Sequence, residues 1–236
     1  MSRQHFEEEK KMVDENTSIP PKAFRIVIVD DHPIVREGLR VLLSREVDFN
    51  VCGDVGTALE ALALIRLESP DAAIVDVVLG NENGLELIRD IKSLHSGVRI
   101  LACSMHDELL YAERALAAGA MGYINKRAGI SSIIAALRMV MAGEVFLSDG
   151  MKQHIINRNI ASGPIRQKTP IETLSNRELE IFRLIGQGMT TAEIGVQLNL
   201  STKTIETHRQ NIRRHLQLDN THKLAREATQ WVLENG

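Results

Sequence analysis

The stretch RIVIVDD, Arg25 to Asp31, decides the reading of the fold: a short apolar run that ends in two adjacent carboxylates. Its apolar residues do not alternate with polar ones, so a strand formed here has both faces buried, as in a parallel sheet covered by helices on each side. Similar runs recur at Asn50–Val55, Ala72–Val75, Arg99–Ser104 and Gly122–Ile124. Each run is followed by a stretch of helical periodicity: Ile34–Leu43, Ala58–Glu68, Gly84–Leu94, Glu108–Ala118 and Ser131–Ala142. Five such alternations predict a doubly wound α/β unit around a five-stranded parallel sheet, with its site at the carboxyl ends of the strands.

Outward from this unit the pattern changes. Residues 1–22 are polar and charged, carry the Pro20-Pro21 break and lack apolar periodicity, so they read as a mobile extension. Past Leu147 the periodic signal weakens, and the Gly, Pro and Ser content of Ala161–Pro170 gives residues 149–171 the composition of a linker. From Glu172 onward strands are absent. Ser175-x-x-Glu178 and Thr190-x-x-Glu193 fit capping boxes, in which a hydroxyl accepts the N3 amide and the carboxylate returns to the cap amide. Gly186 and Gly188 close the first of these helices, Ser201 caps a third, and a fourth follows Asn220-Thr221 to about Asn235. Residues 172–236 thus form a small all-α unit after an α/β unit at 23–148.

The 236-residue chain is 44% hydrophobic and 25% charged, which fits two folded units and excludes collagen-like or wholly disordered readings. Apolar runs such as Ala72–Val75 are far short of the roughly 20 residues that span a bilayer, and Met1–Lys11 is too charged for a secretory signal. A cytoplasmic protein without a membrane partner is expected. Cys52 and Cys103 lie in apolar stretches without a CxxC or His-rich set, and read as buried thiols. The net charge of −3 conceals an acidic α/β unit, where twelve Lys and Arg from Phe24 to Ser148 face seventeen Asp and Glu. It also conceals a local basic patch, Arg209, Arg213 and Arg214, on one predicted helix.

Asp30 and Asp31 follow the first strand and Asp76 ends the third, so a parallel sheet gathers three carboxylates at one edge. Like charges that close raise one another's pKa unless a cation offsets them. Hard oxygen ligands with room for water suit Mg²⁺, which is held by one or two carboxylates plus a phosphate. Ser104 at the end of the fourth strand and Lys126 just beyond the fifth add a hydroxyl and an ammonium, completing a cradle for a phosphoryl group. Taken singly, each is equally a solvated loop residue.

These residues, with Gly84 and the Gly122-Tyr123 pair, resemble the receiver domain of two-component response regulators over about Phe24–Ser148. The resemblance implies a flavodoxin-like fold and phosphoryl transfer to Asp76 from a sensor histidine kinase or a small acyl phosphate. By the same likeness Asp31 holds Mg²⁺ directly, Asp30 through water, and the Val78 carbonyl adds a ligand, while Lys126 pairs with a phosphoryl oxygen. Ser104 and Tyr123 match the family's switch pair, although an aromatic ending a strand also packs without switching. Gly80 replaces the usual loop proline, and Arg127 stands where many relatives have an acid. Val78 and His106 occupy the positions that tune loss of the phosphoryl group, and an apolar Val78, unable to orient water, predicts a long-lived phosphoprotein.

On a helical wheel, Thr202–Leu216 places Ile205, Ile212 and Leu216 in one stripe with His208 at its edge. The opposite face carries Lys203, Thr207, Gln210 and Arg214, flanked by Glu206 and Asn211, a set of groups suited to base edges in a major groove or to water. The surrounding residues Leu174-Ser175, Arg177-Glu178, Gly188, Glu193-Ile194, Leu198, Ser201, Thr204-Ile205, His208 and Leu216 resemble the LuxR-type helix-turn-helix over nearly all of Leu174–Trp231. The likeness implies base contacts from Glu206, Thr207 and Gln210. Lys203, Thr204, His208, Arg209 and Arg213 would then lie near phosphates or support the helix, with packing an equal role for His208. His215 stands where relatives usually have lysine. Leu224, Ala228, Trp231 and Val232 line one side of the last helix, where internal packing and pairing of two copies on inverted half-sites are both open.

Together the halves resemble a NarL/FixJ-type response regulator, a phosphorylation-controlled DNA-binding transcriptional regulator rather than an enzyme with turnover. Phosphorylation is expected to loosen the α/β unit's hold on the helical unit or to promote dimerisation. A small-molecule phosphotransferase would need a cap insertion, which the α/β half lacks; a protein-binding adaptor and a constitutive DNA-binding regulator remain the other readings.

Overall fold

The computed structural model describes residues 23–80, 82–105, 108–161 and 169–235, so the proposed extension 1–22 and His106 lie outside the described residues. Strands β1 (Phe24–Val29), β2 (Phe49–Val55), β3 (Ala72–Asp76), β4 (Arg99–Ser104) and β5 (Gly122–Asn125) form one parallel sheet in the order β2-β1-β3-β4-β5. A separate two-residue hairpin, Val78–Leu79 with Glu82–Asn83, follows β3. The strands are interleaved with α1 (Pro33–Leu43), α2 (Ala58–Glu68), α3 (Gly84–Leu94), α4 (Glu108–Ala118) and α5 (Ile130–Met141).

Side chains of the unbroken apolar strands divide by a period of two between two helical layers. Ile26, Ile28, Ala72, Ile74, Leu101 and Cys103 meet Leu39 and Leu43 of α1 and Ile133, Leu137 and Val140 of α5. Val27, Val29, Ala73, Val75, Ile100 and Ala102 meet Ala61 and Ile65 of α2, Ile88 and Ile91 of α3, and Ala112 and Ala115 of α4. Double burial explains why no polar residue interrupts β3 before Asp76.

Local chemistry fixes the entry of the helices. Pro33 starts α1 at a position where its missing N–H is no loss, Thr57 caps α2 through the Glu60 amide, and Asn83 caps α3 through the Leu85 amide. At Gly84 a Cβ would stand 1.9 Å from the Asp76 carbonyl oxygen, so only glycine lets α3 begin this close to the end of β3.

The segment expected as a linker opens with a helix, α6 (Asp149–Ala161). Its first turn is held by Ser148, whose Oγ accepts the Met151 amide at 3.1 Å and whose own amide donates to Glu108 Oε1 at 3.0 Å. Met151 is buried and Ile155 packs beside it. Two apolar residues one turn apart suffice to seat the helix, and they are too few to stand out as a period.

The C-terminal unit comprises α7 (Asn176–Gly186), α8 (Thr191–Gln197), α9 (Thr202–His215) and α10 (Thr221–Asn235) around Leu179, Phe182, Ile194, Ile205, Ile212, Leu224 and Ala228. Both capping boxes form as expected. Gly188, at φ +86°, makes the left-handed turn after α7, whereas Gly186 serves packing rather than helix termination. A Cβ there would lie 2.3 Å from the Ala228 carbonyl oxygen, where α10 crosses α7. Gly186→Ala is expected to destabilise this unit by about 1–3 kcal/mol. Urea unfolding of the full chain checks this, read through Trp231, the single tryptophan, whose ring lies 5.8 Å from that of Phe182.

Candidate functional site

The parallel register delivers the expected acids to one edge. Asp76 lies level with Cys103, and Ser104 level with Asn125, so Asp30, Asp76, Ser104 and Lys126 all stand at the carboxyl end of the sheet. Asp30, Asp76 and Ser104 are buried. The Lys126 ammonium joins the two carboxylates, donating to Asp76 Oδ2 at 2.6 Å and closely to Asp30 Oδ2. Backbone amides hold the remaining oxygens: Val78 N donates to Asp76 Oδ1 at 3.0 Å and His32 N to Asp30 Oδ1 at 2.9 Å.

Burial raises the Asp76 carboxyl to about pH 6, against the downward pull of Lys126. For Lys126, burial pulls the ammonium down and the two carboxylates more than offset it, leaving it raised. Ligand atoms of Asp30, Asp31, His32 and Asp76 lie within 4.8 Å of one another. Asp31 Oδ1 is screened from solvent and accepts no hydrogen bond, though His32 Nδ1 lies 2.8 Å away. An orphaned carboxylate oxygen beside two further carboxylates fits a hard divalent cation.

Ser104 and Tyr123, expected as a switch pair, share a hydrogen bond, and the Tyr123 ring is fully buried, so it points inward in this structure. Two residues absent from the sequence reading support the site. Arg36 donates through Nη1 to the Asp30 carbonyl at 2.6 Å and through Nε to Asp54 at 3.0 Å, tying the end of β1 to β2. Arg114 on α4 reaches the helical unit, with Nη1 2.9 Å from the Leu174 carbonyl and 3.1 Å from Asn176 Oδ1. Its Nη2 lies 3.4 Å from the Ile171 and Glu172 carbonyls. Beside it Tyr111, Val78 and Leu85 enclose a small gap against Asn176 and Glu180 of α7. An Arg that binds backbone carbonyls leaves no mark in the sequence, since its partners are the same in every residue type.

In the helical unit Ser201 caps α9 through the Thr204 amide, and Ile205 and Ile212 are buried. Lys203, Glu206, Thr207, Gln210 and Arg214 are exposed along the other face. This face is open while Arg114 holds the two units together, so a change of domain arrangement is not needed to uncover it. Glu206 accepts from Thr191 Oγ1 at 2.7 Å, Thr207 bonds back to the Lys203 carbonyl, and Arg214 donates to Asn211.

The expected phosphate-contacting groups divide differently. Thr204 Oγ1 is 2.8 Å from Ser201 Oγ, and the Arg209 side chain is only 12% exposed. Arg213 donates to the Asp219 carbonyl at 3.2 Å and braces the turn after α9. His208 is half-buried with an unpartnered Nδ1, which favours packing, and His215 Nδ1 lies 3.4 Å from Glu178 Oε2, facing its own domain. Leu224 and Ala228 are fully buried within the monomer, so they pack internally instead of forming an outward pairing face; Trp231 and Val232 are half-buried.

Comparison with known proteins agrees with this geometry. Residues 26–138 match the response regulator receiver domain, and residues 172–228 match the bacterial regulatory proteins of the luxR family. A putative transcriptional regulator of Pseudomonas aeruginosa is 35% identical over 201 residues, covering 85% of this chain and 93% of its own. The transcriptional regulatory protein UhpA of Escherichia coli is also 35% identical over 201 residues, covering 85% of this chain and 95% of its own. The structure of RcsB from Salmonella enterica serovar Typhimurium, bound to promoter rprA with the phosphomimetic BeF3-, shares the fold. Its TM-score is 0.62 at 21% identity, covering 88% of this chain and 98% of that one. The carboxylate cradle, the helix-turn-helix and these likenesses place the chain among the two-component response regulators of the NarL/FixJ type, a receiver joined to a LuxR-type DNA-binding domain.

Proposed function

We propose that a phosphoryl group on Asp76, donated by a sensor histidine kinase or a small acyl phosphate in the cytoplasm, sets the DNA affinity of this regulator. The receiver is taken as residues 23–148, following the extension 1–22, and the DNA-binding domain as 172–236, joined by 149–171. Asp76 is the nucleophile and accepts one phosphoryl group without turnover on an external substrate. Asp31, Asp76 and the Val78 carbonyl, with Asp30 beside them, would hold Mg²⁺, which would supply charge neutralisation for the phosphoryl oxygens. Lys126, already bonded to Asp76, is placed to follow a phosphoryl oxygen.

The observation that carries this reading is a continuous row of neighbours from the acceptor to the second domain. Ser104 bonds Tyr123, Tyr123 and Tyr111 belong to one buried cluster, and Tyr111 lines a small gap with Asn176 and Glu180 of α7. A hydroxyl drawn toward a new phosphoryl group breaks its bond to Tyr123, and the face carrying Tyr111 and Arg114 is the one that responds. The polar Arg114 contact then weakens, leaving the DNA-binding domain free to pair with a second copy on inverted half-sites. Trp231, Val232 and the 82% exposed Leu233 offer the outward part of that pairing helix.

Purified protein incubated with Mg²⁺ and acetyl phosphate is expected to gain the mass of one phosphoryl group, and to bind more tightly to an operator selected from a randomised duplex pool. Asp76→Asn should gain neither. An unchanged mass in wild type, with unchanged affinity, would leave a constitutive DNA-binding regulator.

The contact at Arg114 has its own signature. Arg114→Ala should raise the DNA affinity of the unphosphorylated protein by about tenfold, within the usual 1–3 kcal/mol of inter-site coupling, and shrink the gain on phosphorylation by the same factor. Titration of both forms with the same operator checks the pairing of the two effects.

Base-reading and backbone-binding residues separate in the same assay. Gln210→Ala should relax discrimination at one base pair by about 1–3 kcal/mol. Arg213→Ala should weaken binding to every sequence and flatten its salt dependence. Because Arg213 braces the turn at Asp219, its melting temperature should also fall, whereas that of Gln210→Ala should not.

A further inference from the structure

The cavity at the end of the sheet, about 790 Å³, is not walled by the receiver alone. Asp31, Asp76, Ser104 and Lys126 line it together with Arg183 of α7 and Gln197 of α8, both from the DNA-binding domain. This volume lies in the range of small-molecule sites. Arg183 makes no hydrogen bond or ion pair among the described residues, and its Nε is screened from solvent without a partner. The nearby acid, Glu180, one turn before it, feels the Arg183 charge but makes its direct ion pair with Arg177 at 2.8 Å. Arg114, the other guanidinium on this interface, is taken up by the carbonyls of the second domain. A half-buried guanidinium that makes no direct ion pair and whose Nε has no hydrogen-bond partner, lining the cavity that holds a phosphoryl acceptor, is matched by a phosphate dianion, whose oxygens fit the guanidinium fork.

We propose that Arg183 is a phosphodonor-binding residue lent by the DNA-binding domain, which recognises the phosphate dianion of a small acyl phosphate entering the receiver cavity. The inference rests on the reading of Asp76 as acceptor. Lys126 is the cation bonded to Asp30 and Asp76, so Arg183 acts on the incoming donor rather than on the acceptor carboxylate. In the transfer itself, an Asp76 Oδ forms a bond to phosphorus as the bond from phosphorus to the donor's carboxylate oxygen breaks. The carboxylate leaves with that electron pair, and no proton, oxidant or further reactant is required. Loading by small donors therefore depends on the docked arrangement of the two domains, in which Arg183 completes the cavity wall.

The test is the rate of mass gain by the full-length protein with Mg²⁺ at increasing acetyl phosphate, for wild type, Arg183→Gln and Arg183→Lys. The half-saturating concentration should rise about tenfold in Arg183→Gln, the equivalent of one charge-assisted hydrogen bond, with the plateau rate within about twofold of wild type. Arg183→Lys should recover most of the loss, because the charge remains, and the melting temperatures of all three should agree. An unchanged half-saturation in Arg183→Gln overturns the proposal, as does a fall in plateau rate alone, which assigns Arg183 a structural role. Absence of mass gain in wild type would instead overturn the reading of Asp76 itself, so the two failures are distinguishable.

Discussion

One ammonium between two buried carboxylates governs the construction of this molecule. Asp30 and Asp76 end adjacent parallel strands and are almost excluded from water, an arrangement that two like charges resist and that Lys126 makes tolerable. A well-packed apolar trio would be no less stable in that place, since removing charges from water offsets most of their mutual attraction. The site is therefore a concession of stability to chemistry. The surrounding fold is arranged to keep it: Arg36 anchors the carbonyl of Asp30, the Val78 and His32 amides hold one oxygen of each acid, and Gly84 allows α3 to begin against the Asp76 carbonyl.

The route from this centre to the DNA-binding domain carries both polar and apolar contacts where it crosses between units. Ser104 and Tyr123 are buried and packed; the crossing joins Arg114, on carbonyls and Asn176, to a buried apolar cluster that includes Tyr111 and Leu85 on one side and Leu174 and Leu179 on the other. The Arg114 hydrogen bonds exchange protein partners for water at small net free energy, which suits the part of the contact that a single phosphoryl group must bias. The exposed reading face of α9 places a limit on what that bias does. It alters how the second domain is held and presented, not whether Lys203, Thr207 and Gln210 can be seen.

Much of this was legible in the sequence because the relevant physics is local or periodic. Unbroken apolar runs announced the doubly buried central strands, though not the edge strand β2, which is mostly half-buried; the acids at the strand ends followed from the parallel topology, and Ser175, Thr190 and Ser201 announced helix starts by capping chemistry alone. Helix α6 was illegible, since Met151 and Ile155 are too few to form a period and its register comes from Ser148 and Glu108. On α9 and α10 a wheel separates faces but does not say which neighbour covers them. Arg209 and His208 are largely covered by their own domain, and Leu224 and Ala228 are consumed by the packing of α10 on α7.

Arginine shows most plainly what a single sequence withholds. Arg36, Arg114, Arg138 and Arg183 are indistinguishable by type and by local pattern, yet each does something different because its partners differ. Arg36 fixes the strand end that carries an acid, Arg114 binds another domain's backbone, and Arg138 forms an exposed ion pair with Asp48 and Glu46. Arg183 alone of the four has no partner among the described residues. A guanidinium is charged whatever surrounds it, so its role is set by where its counter-charge comes from. For the first three, carbonyls and carboxylates of the chain bond the guanidinium directly; Arg183, lining the phosphoryl-acceptor cavity, has only the charge of Glu180 nearby and no direct partner, so the geometry leaves room for an anion from outside.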